Sequence, residues 1–393
     1  MKKLLIIGAS ILQLPAIKKA KEMGYYVGVI DYDPNAIGIP FADEYFNVST
    51  IDIEGVVKTA EGFKPQGIMT LATDMPMRSI AAACEKLGLS GISFETAVKS
   101  TDKGEMIKCF EENAVEHPWY RIISSLDELD SNIDYITYPC ISKPTDNSGS
   151  RGVMLIHNEQ ELREAINYSS SNGRSGSVIV EEYMQGPEVS VEIITVDGEP
   201  YVLQVTDKLT TGAPHFVEMG HSQPSRLGEE NLKKIRDLAC RAVRAVGIEN
   251  GPAHVEIILT KDGPKMVELG ARMGGDCITT HLVPLSTGID MIEATIKIAC
   301  GEKPCIEPKF NKGSAIRFID APFGTITAID GVKKAEAIGG VKEVSLTKHI
   351  GDTVGEIGSS TDRAGFVIAQ ADTVEAAVVI CENAVKTVRI TVA

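Results

Sequence analysis

Two acids, Glu256 and Glu268, lie in apolar runs on either side of Lys261, Asp262 and Gly263. Val, Ile and Thr in the first run favour a strand, and Lys-Asp-Gly is turn chemistry. A three-residue hairpin loop takes Gly at its last position, where φ is positive. Pairing outward from residues 261–263 sets Thr260 opposite Pro264 and Glu256 opposite Glu268. Side chains alternate along a strand, so both acids share one face. Their Cβ atoms would lie ~4.5–5.5 Å apart. Carboxylates that close repel, so one keeps a proton or a cation joins them. Oxygen-only ligation beside phosphates is what Mg²⁺ prefers. Two solvated acids, or acids with lysine partners across the strands, are the simpler reading. Arg272 and the run Gly274-Gly275-Asp276 follow, placed to hold the anionic end of a ligand where the strand ends.

Such acids need a sheet to hold them. The chain, at 393 residues, is long enough for two or three domains with a sizeable core. A net charge of −15 argues against a nucleic-acid partner. The cysteines are scattered, with no C-x-x-C and no Cys/His cluster at zinc spacing, which points to reduced thiols in the cytoplasm. Lys2 and Lys3 precede an apolar run, but Gly8-Ala9-Ser10 breaks it. A strand and turn explain that run better than a signal peptide, and no other stretch is apolar for long enough to span a membrane.

From the N-terminus, a buried strand at 4–7, a helix at 12–23 and a strand at 27–30 make a βαβ opening closed by Asp31. The full G-x-G-x-x-G is absent, so a doubly wound scaffold is favoured over a nicotinamide site. The pattern continues through 67–71 and a helix to Leu87. Asp74 falls at the carboxyl end of a strand, where ligands bind in such sheets; a helix N-cap is the competing role. Residues 94–120 read as helical, with Lys103 in a first turn beginning at Asp102. A cation there is unfavourable unless it reaches an anion. The strand at 139–144 carries Lys143 and runs into a Gly/Ser-rich loop at 145–152. Such a loop can offer backbone N–H donors to phosphates, though it lacks the G-K-[ST] of a Walker loop. A Ser/Gly linker at 169–177 precedes a strand at 178–184 that carries Glu181, Glu182, Tyr183 and Met184. An adenine ring fits against such apolar side chains and strand-end backbone, and Glu188 across the turn could take ribose hydroxyls. A strand at 204–211, a loop holding His215 and His221, and an amphipathic helix at 229–246 lead to the opening hairpin. His221 is a substrate-site candidate. A helix at 289–300 follows, then short strands at 314–319, 341–346 and 366–371 and a closing helix at 373–386.

The order of these elements resembles the ATP-grasp superfamily. The runs Glu218-Met219-Gly220-His221 and residues 267–276 look most like the L-amino-acid ligase group of carboxylate–amine ligases. The resemblance implies a mixed α/β and α+β fold. It would have a doubly wound N-terminal domain (1–93), a two-lobed nucleotide-binding region (94–300, small lobe about 121–187) and a C-terminal α+β cap (301–393), in which the sequence shows no chemistry. By resemblance, Lys103 and Lys143 hold phosphates and the loop with Ser148, Gly149 and Ser150 closes over them. Glu181, Glu182, Tyr183 and Met184 frame adenine, and Glu188 binds ribose. Glu256 and Glu268 hold Mg²⁺, with Mn²⁺ as a substitute. Arg272 and Lys143 are catalytic, and the substrate meets Asp74, His221, Arg272, Gly274 and Gly275. One position departs: the superfamily often has Asn two residues after the second metal Glu, and Gly270 stands here, which leaves the metal count open.

The implied activity is an ADP-forming carbon–nitrogen ligase. It would join a small carboxylate, made reactive as an acyl phosphate, to an amine; amino acids are the expected substrates and a homodimer the expected assembly. A purine-type formyl or carboxy transfer enzyme, a nucleotide-binding module without turnover and a hydride-transferring enzyme are the alternatives.

Overall fold

The computed structural model describes residues 2–147 and 152–393. The chain opens with β1 (Lys3–Ile7), α1 (Leu14–Glu22), β2 (Tyr26–Asp31), β3 (Glu44–Asn47), α2 (Ile53–Phe63), β4 (Gly67–Met69) and α3 (Met77–Leu87). These strands are parallel in the order β3-β2-β1-β4. The first strand shows why the sheet is covered on both sides. Leu4 and Ile6 join a core with Ile17 and Ile292, while Leu5 and Ile7 join another with Val56, Phe63 and Ile80. Residues two apart share a face, so a continuous apolar strand feeds two cores. Asp31 is committed to this scaffold: its Oδ2 accepts from the Ala9 amide at 2.7 Å.

Next come α4 (Phe94–Thr101) and α5 (Lys103–Glu112). The single helix expected over 94–120 is thus two, divided at Asp102, whose carboxylate accepts from the amides of Gly104 and Glu105. Helix stops at Glu112; Ala114 takes φ 51° and the chain turns into β5 (Tyr120–Ile123). A small lobe follows: α6 (Leu126–Asn132), β6 (Cys140–Pro144), β7 (Met154–Ile156), α7 (Glu159–Asn172) and β8 (Val178–Glu182). Its strands pair in the order β5-β8-β6-β7. The linker expected from 169 begins later, because the helix runs on to Asn172.

The large lobe contains β9 (Glu188–Val196), β10 (Glu199–Thr210), β11 (Glu218–Gln223), α8 (Glu229–Val246), β12 (Gly251–Thr260) and β13 (Gly263–Gly270). After it come α9 (Val283–Thr287), α10 (Met291–Ala299), β14 (Gly313–Ile319), β15 (Gly324–Asp330), α11 (Val332–Glu336), β16 (Val341–Leu346), β17 (Thr353–Val354), β18 (Gly365–Ala371), α12 (Val374–Thr387) and β19 (Arg389–Val392). Among the described residues one sheet runs β13-β12-β9-β10-β11-β14-β18-β16, so pairing continues across residue 300 into the C-terminal segment. Two expectations change here. The strand expected at 204–211 starts at Glu199, and His221 lies in strand β11, not in a loop.

One face of this sheet packs on α8. Val189, Val191, Ile193, Val205, Val255, Ile257 and Leu269 meet Leu232, Ile235, Leu238, Ala239, Ala242 and Val243. The opposite face is polar, because the alternate positions on the same strands are Glu188, Ser190, Glu192, Lys208, His221, His254, Glu256 and Glu268. Period-two alternation therefore delivers a broad apolar core and, on its reverse, a concentration of charge.

Candidate active site

The two acids of the hairpin do face each other: Glu256 pairs with Glu268. The route to that pairing differs from the expected one. Thr260 faces Gly263 rather than Pro264, and Gly263 itself, at φ 120°, opens the second strand. The turn is one residue shorter than expected. A bulge between Glu256 and Ile257, at Val267 on the partner strand, restores the register and keeps both acids on the polar face.

Each acid has a cation beside it. Lys208 Nζ is 3.2 Å from Glu256 Oε1, and His254 Nε2 is 3.2 Å from the same oxygen. Lys103 Nζ is 3.0 Å from Glu268 Oε2 and also donates to the Asn147 carbonyl at 2.7 Å. Lys103 at the start of α5 thus reaches an anion, the condition under which a cation is tolerated there. Burial pushes the Glu256 carboxyl up, but Lys208 and His254 outweigh it and hold it well below the usual carboxylate range. Behind Glu256, the fully buried Glu192 accepts from His254 Nδ1 at 2.9 Å, and Ser190 donates to Glu192. Burial alone would lower the His254 pKa; Glu192 and Glu256 reverse this and raise it to about 9.

Lys208 is a centre that sequence reasoning passed over. Only 3% of its side chain is exposed, and its ammonium lies 2.5 Å from Glu188, 3.2 Å from Glu256 and 3.5 Å from Glu218. Its neighbours come from β9, β11 and β12, so no local spacing announces it.

At the far end of β13, Arg272 Nε and Nη2 donate to Oδ1 and Oδ2 of Asp74, both at 2.9 Å. Asp74 is not a helix cap: Pro76 is the N-cap residue of α3, without a side-chain bond. Gly274 lies against the buried network, since a Cβ there would sit 2.6 Å from His254 Nδ1. Gly275 has open space around it. Next in the chain, Asp276 (φ 49°) accepts from His221 Nε2 at 3.2 Å and, bidentately at 2.8 Å, from Arg363. Arg363 also lies over the Phe318 ring, 3.6 Å from its centroid. The C-terminal segment, in which the sequence shows no chemistry, therefore sends a guanidinium to this end of the site.

The small lobe brings Lys143 and Glu181 together at 2.6 Å, both nearly buried. Glu182 pairs with Lys265 at 2.6 Å, Met184 is buried, and the Tyr183 ring lies 6.2 Å from that of Phe216. Ser148, Gly149 and Ser150 lie outside the described residues. The structure thus assembles Lys103, Glu188, Glu256, Glu268, Arg272, Asp74 and His221 along one sheet face, with the Lys143–Glu181 pair on the opposing lobe.

The hairpin offers oxygen donors of the kind a divalent ion takes, and among the described residues no group of three or more His, Cys, Asp or Glu side chains gathers that could hold one. Glu256 and Glu268 are hard oxygen donors, opposed in register and partly accessible, with 17% and 27% of their side chains exposed.

Comparison with known proteins agrees with this architecture. Residues 136–280 match the ATP-grasp domain, and residues 317–393 match L-amino acid ligase C-terminal domain 2. Alanine–anticapsin ligase of Bacillus subtilis (strain 168) is 28% identical over 316 residues, covering 74% of this chain and 66% of that protein. An L-amino acid ligase structure from Bacillus licheniformis superposes with a TM-score of 0.86 at 24% identity, covering 100% of this chain and 99% of that one. Phosphoribosylglycinamide synthetase from Anaerococcus prevotii does so with 0.81 at 23% identity, covering both chains completely. At these identities the two structures establish the fold alone. Residues 136–280 thus form an ATP-grasp domain. Behind it stands a C-terminal domain of the kind found in L-amino acid ligases.

Proposed function

We propose that the protein is an ATP-dependent, ADP-forming carbon–nitrogen ligase that joins two amino-acid-like substrates through an acyl phosphate. The observation that carries this reading is the opposition of Glu256 and Glu268 in the run that ends at the Asp74–Arg272 pair. A site for a metal–triphosphate and a site for an anionic substrate then adjoin along one strand.

The chemistry follows from what each group can do. A carboxylate resists attack by an amine because its leaving group would be oxide. Transfer of the γ-phosphoryl to it makes phosphate the leaving group instead. The developing charge is spread over phosphoryl oxygens, so positioned cations are the main catalytic means. Mg²⁺ held by Glu256 and Glu268 would supply part of that charge. Lys103 faces the same place from α5, and Lys143 faces it from the small lobe once the phosphates displace Glu181. Tyr183 and Met184 flank the adenine, with Glu188 at the ribose. Arg272, held by Asp74, meets the carboxylate that accepts the phosphoryl group. His221, held by Asp276, borders the substrate on the other side; its Nδ1 has no partner among the described residues. Two lobes closing on each other keep water from the acyl phosphate.

A screen of amino acids, singly and in pairs, with Mg-ATP tests the reading. ADP release that requires a particular pair, with the dipeptide formed in equal amount, is the expected result. Nucleotide binding with no turnover on any pair would favour a binding module instead.

A further inference from the structure

We propose that the C-terminal segment completes a pocket for the cationic side chain of the amine substrate, with Asp320, Phe323 and Glu356 as the residues that select it. The inference rests on the ligase reading above and names the class of its amine.

A cavity of about 630 Å³ lies between the turn that joins β10 to β11 and the C-terminal segment. Its size is in the range of small-molecule sites. His215 and Met219 line it from the large lobe, and Asp320, Phe323, Glu356 and Ile357 from beyond residue 300. Each part of the chain thus contributes one wall.

The walls carry two carboxylates and no Lys or Arg. His215 Nε2 lies 3.7 Å from Glu356. Asp320 Oδ1 accepts from the Ala321 amide at 2.8 Å, and among the described residues Asp320 forms no ion pair. Between the acids stands Phe323, 78% exposed, its ring laid along Gly355, where a Cβ would sit 3.5 Å from its Cζ. An open ring face and two carboxylates suit a cationic head. Met219 and Ile357 suit the apolar stem that carries such a head. An acidic side chain would be repelled here, and a purely apolar one would strip water from the acids without replacing it.

Position assigns the cavity to the amine. Met219 packs with Phe318, whose ring meets His221 edge-on at 6.2 Å and carries Arg363 at 3.6 Å from its centroid. Arg363 Nη1 also donates to the Glu218 carbonyl at 3.1 Å. Met219 and His221 are two residues apart on β11, about 7 Å, a span that a lysine or arginine side chain covers. The run from Arg272 to Asp276 crosses the site. It begins at Asp74, passes His254 at Gly274 and ends on His221. The acid substrate belongs at its Arg272 end in the proposed reaction, so the cavity beyond His221 falls to the other substrate.

Binding is tested first, without turnover. L-lysine and its near-isostere L-norleucine are titrated calorimetrically onto the full chain with Mg²⁺ and a non-hydrolysable ATP analogue. Lysine is expected to bind about tenfold more tightly, the combined effect of one ring and two exposed carboxylates. Added salt should shrink that preference. Asp320→Asn and Glu356→Gln should each reduce it while leaving norleucine affinity unchanged, and Phe323→Ala should weaken both ligands. Equal affinities in wild type, or a preference untouched in all three variants, would overturn the inference. Turnover with Mg-ATP and a fixed acid substrate then separates this inference from the ligase reading. A dipeptide with lysine at its carboxyl end supports both, whereas lysine at the amino end would overturn the assignment to the amine. A lysine preference in binding with no amide formed on any pair would keep the pocket's selectivity and remove the ligase reading.

Discussion

Asp74 and Arg272, 198 residues apart, form a two-pronged ion pair with both N–O distances at 2.9 Å. The pair fastens the loop after β4 of the N-terminal sheet to the end of the hairpin that carries Glu256 and Glu268. In the proposed reaction, an arginine clamped this way would present a fixed face to an incoming carboxylate, and its precision would depend on Asp74.

Asp74→Asn is therefore expected to lower kcat/KM for the acid substrate by about 10- to 100-fold, while nucleotide affinity stays near wild type. Steady-state kinetics and an equilibrium nucleotide titration separate the two. A parallel loss of nucleotide affinity would place Asp74 in the nucleotide site instead.

Glu268→Gln removes the negative charge of one proposed metal ligand without changing shape. ATP consumption should fall by at least about 100-fold, with the far-ultraviolet dichroism spectrum unchanged. Normal turnover in that variant would remove Glu268 from the metal site.

Stability should depend on pH through His254. Its folded pKa is raised to about 9 from 6.5, despite burial, by Glu192 and Glu256. The protonated ring thus contributes stability that is complete below pH ~6.5 and is lost as pH rises through 9. The size is on the order of 3 kcal/mol. Chemical denaturation in chelator, at intervals from pH 6 to 10, should show this loss in wild type and a flatter profile in His254→Gln. Identical profiles would mean that the ring is neutral in the folded protein.

Arg363 should act as a tie between the C-terminal segment and the rest. Arg363→Met leaves Asp276 without its bidentate partner, a change that typically costs about 3 kcal/mol for a buried pair. Faster amide hydrogen exchange in β18 is the expected signature, since Gly365 opens that strand two residues after Arg363. Exchange indistinguishable from wild type would show that the pair contributes nothing.

How much of this could be read in advance depended on how local each signal was. The N-terminal sheet was plain because Leu4 to Ile7 alternate between two cores and Gly24 ends the first helix at φ 83°. The opposition of Glu256 and Glu268 was predictable from turn chemistry and alternation, although the bulge at Val267 and the two-residue turn cancel each other unseen. Strand β11 was hidden because Glu218, Gly220, His221, Ser222 and Gln223 give no apolar alternation; its character comes from pairing with β10 and β14. Lys208 and Arg363 were illegible for a related reason. Their partners are separated from them by 20 or more residues or lie on separate strands, and only the folded sheet brings them within reach.

The most direct test follows isotope from one substrate to a product. With a productive amino-acid pair and Mg-ATP, the acid substrate carries ¹⁸O in its carboxylate. One ¹⁸O should appear in the released phosphate for each amide bond formed, alongside ADP, because the phosphoryl group has bonded to that oxygen. Unlabelled phosphate with amide formation, or AMP and pyrophosphate as products, would contradict the acyl-phosphate account.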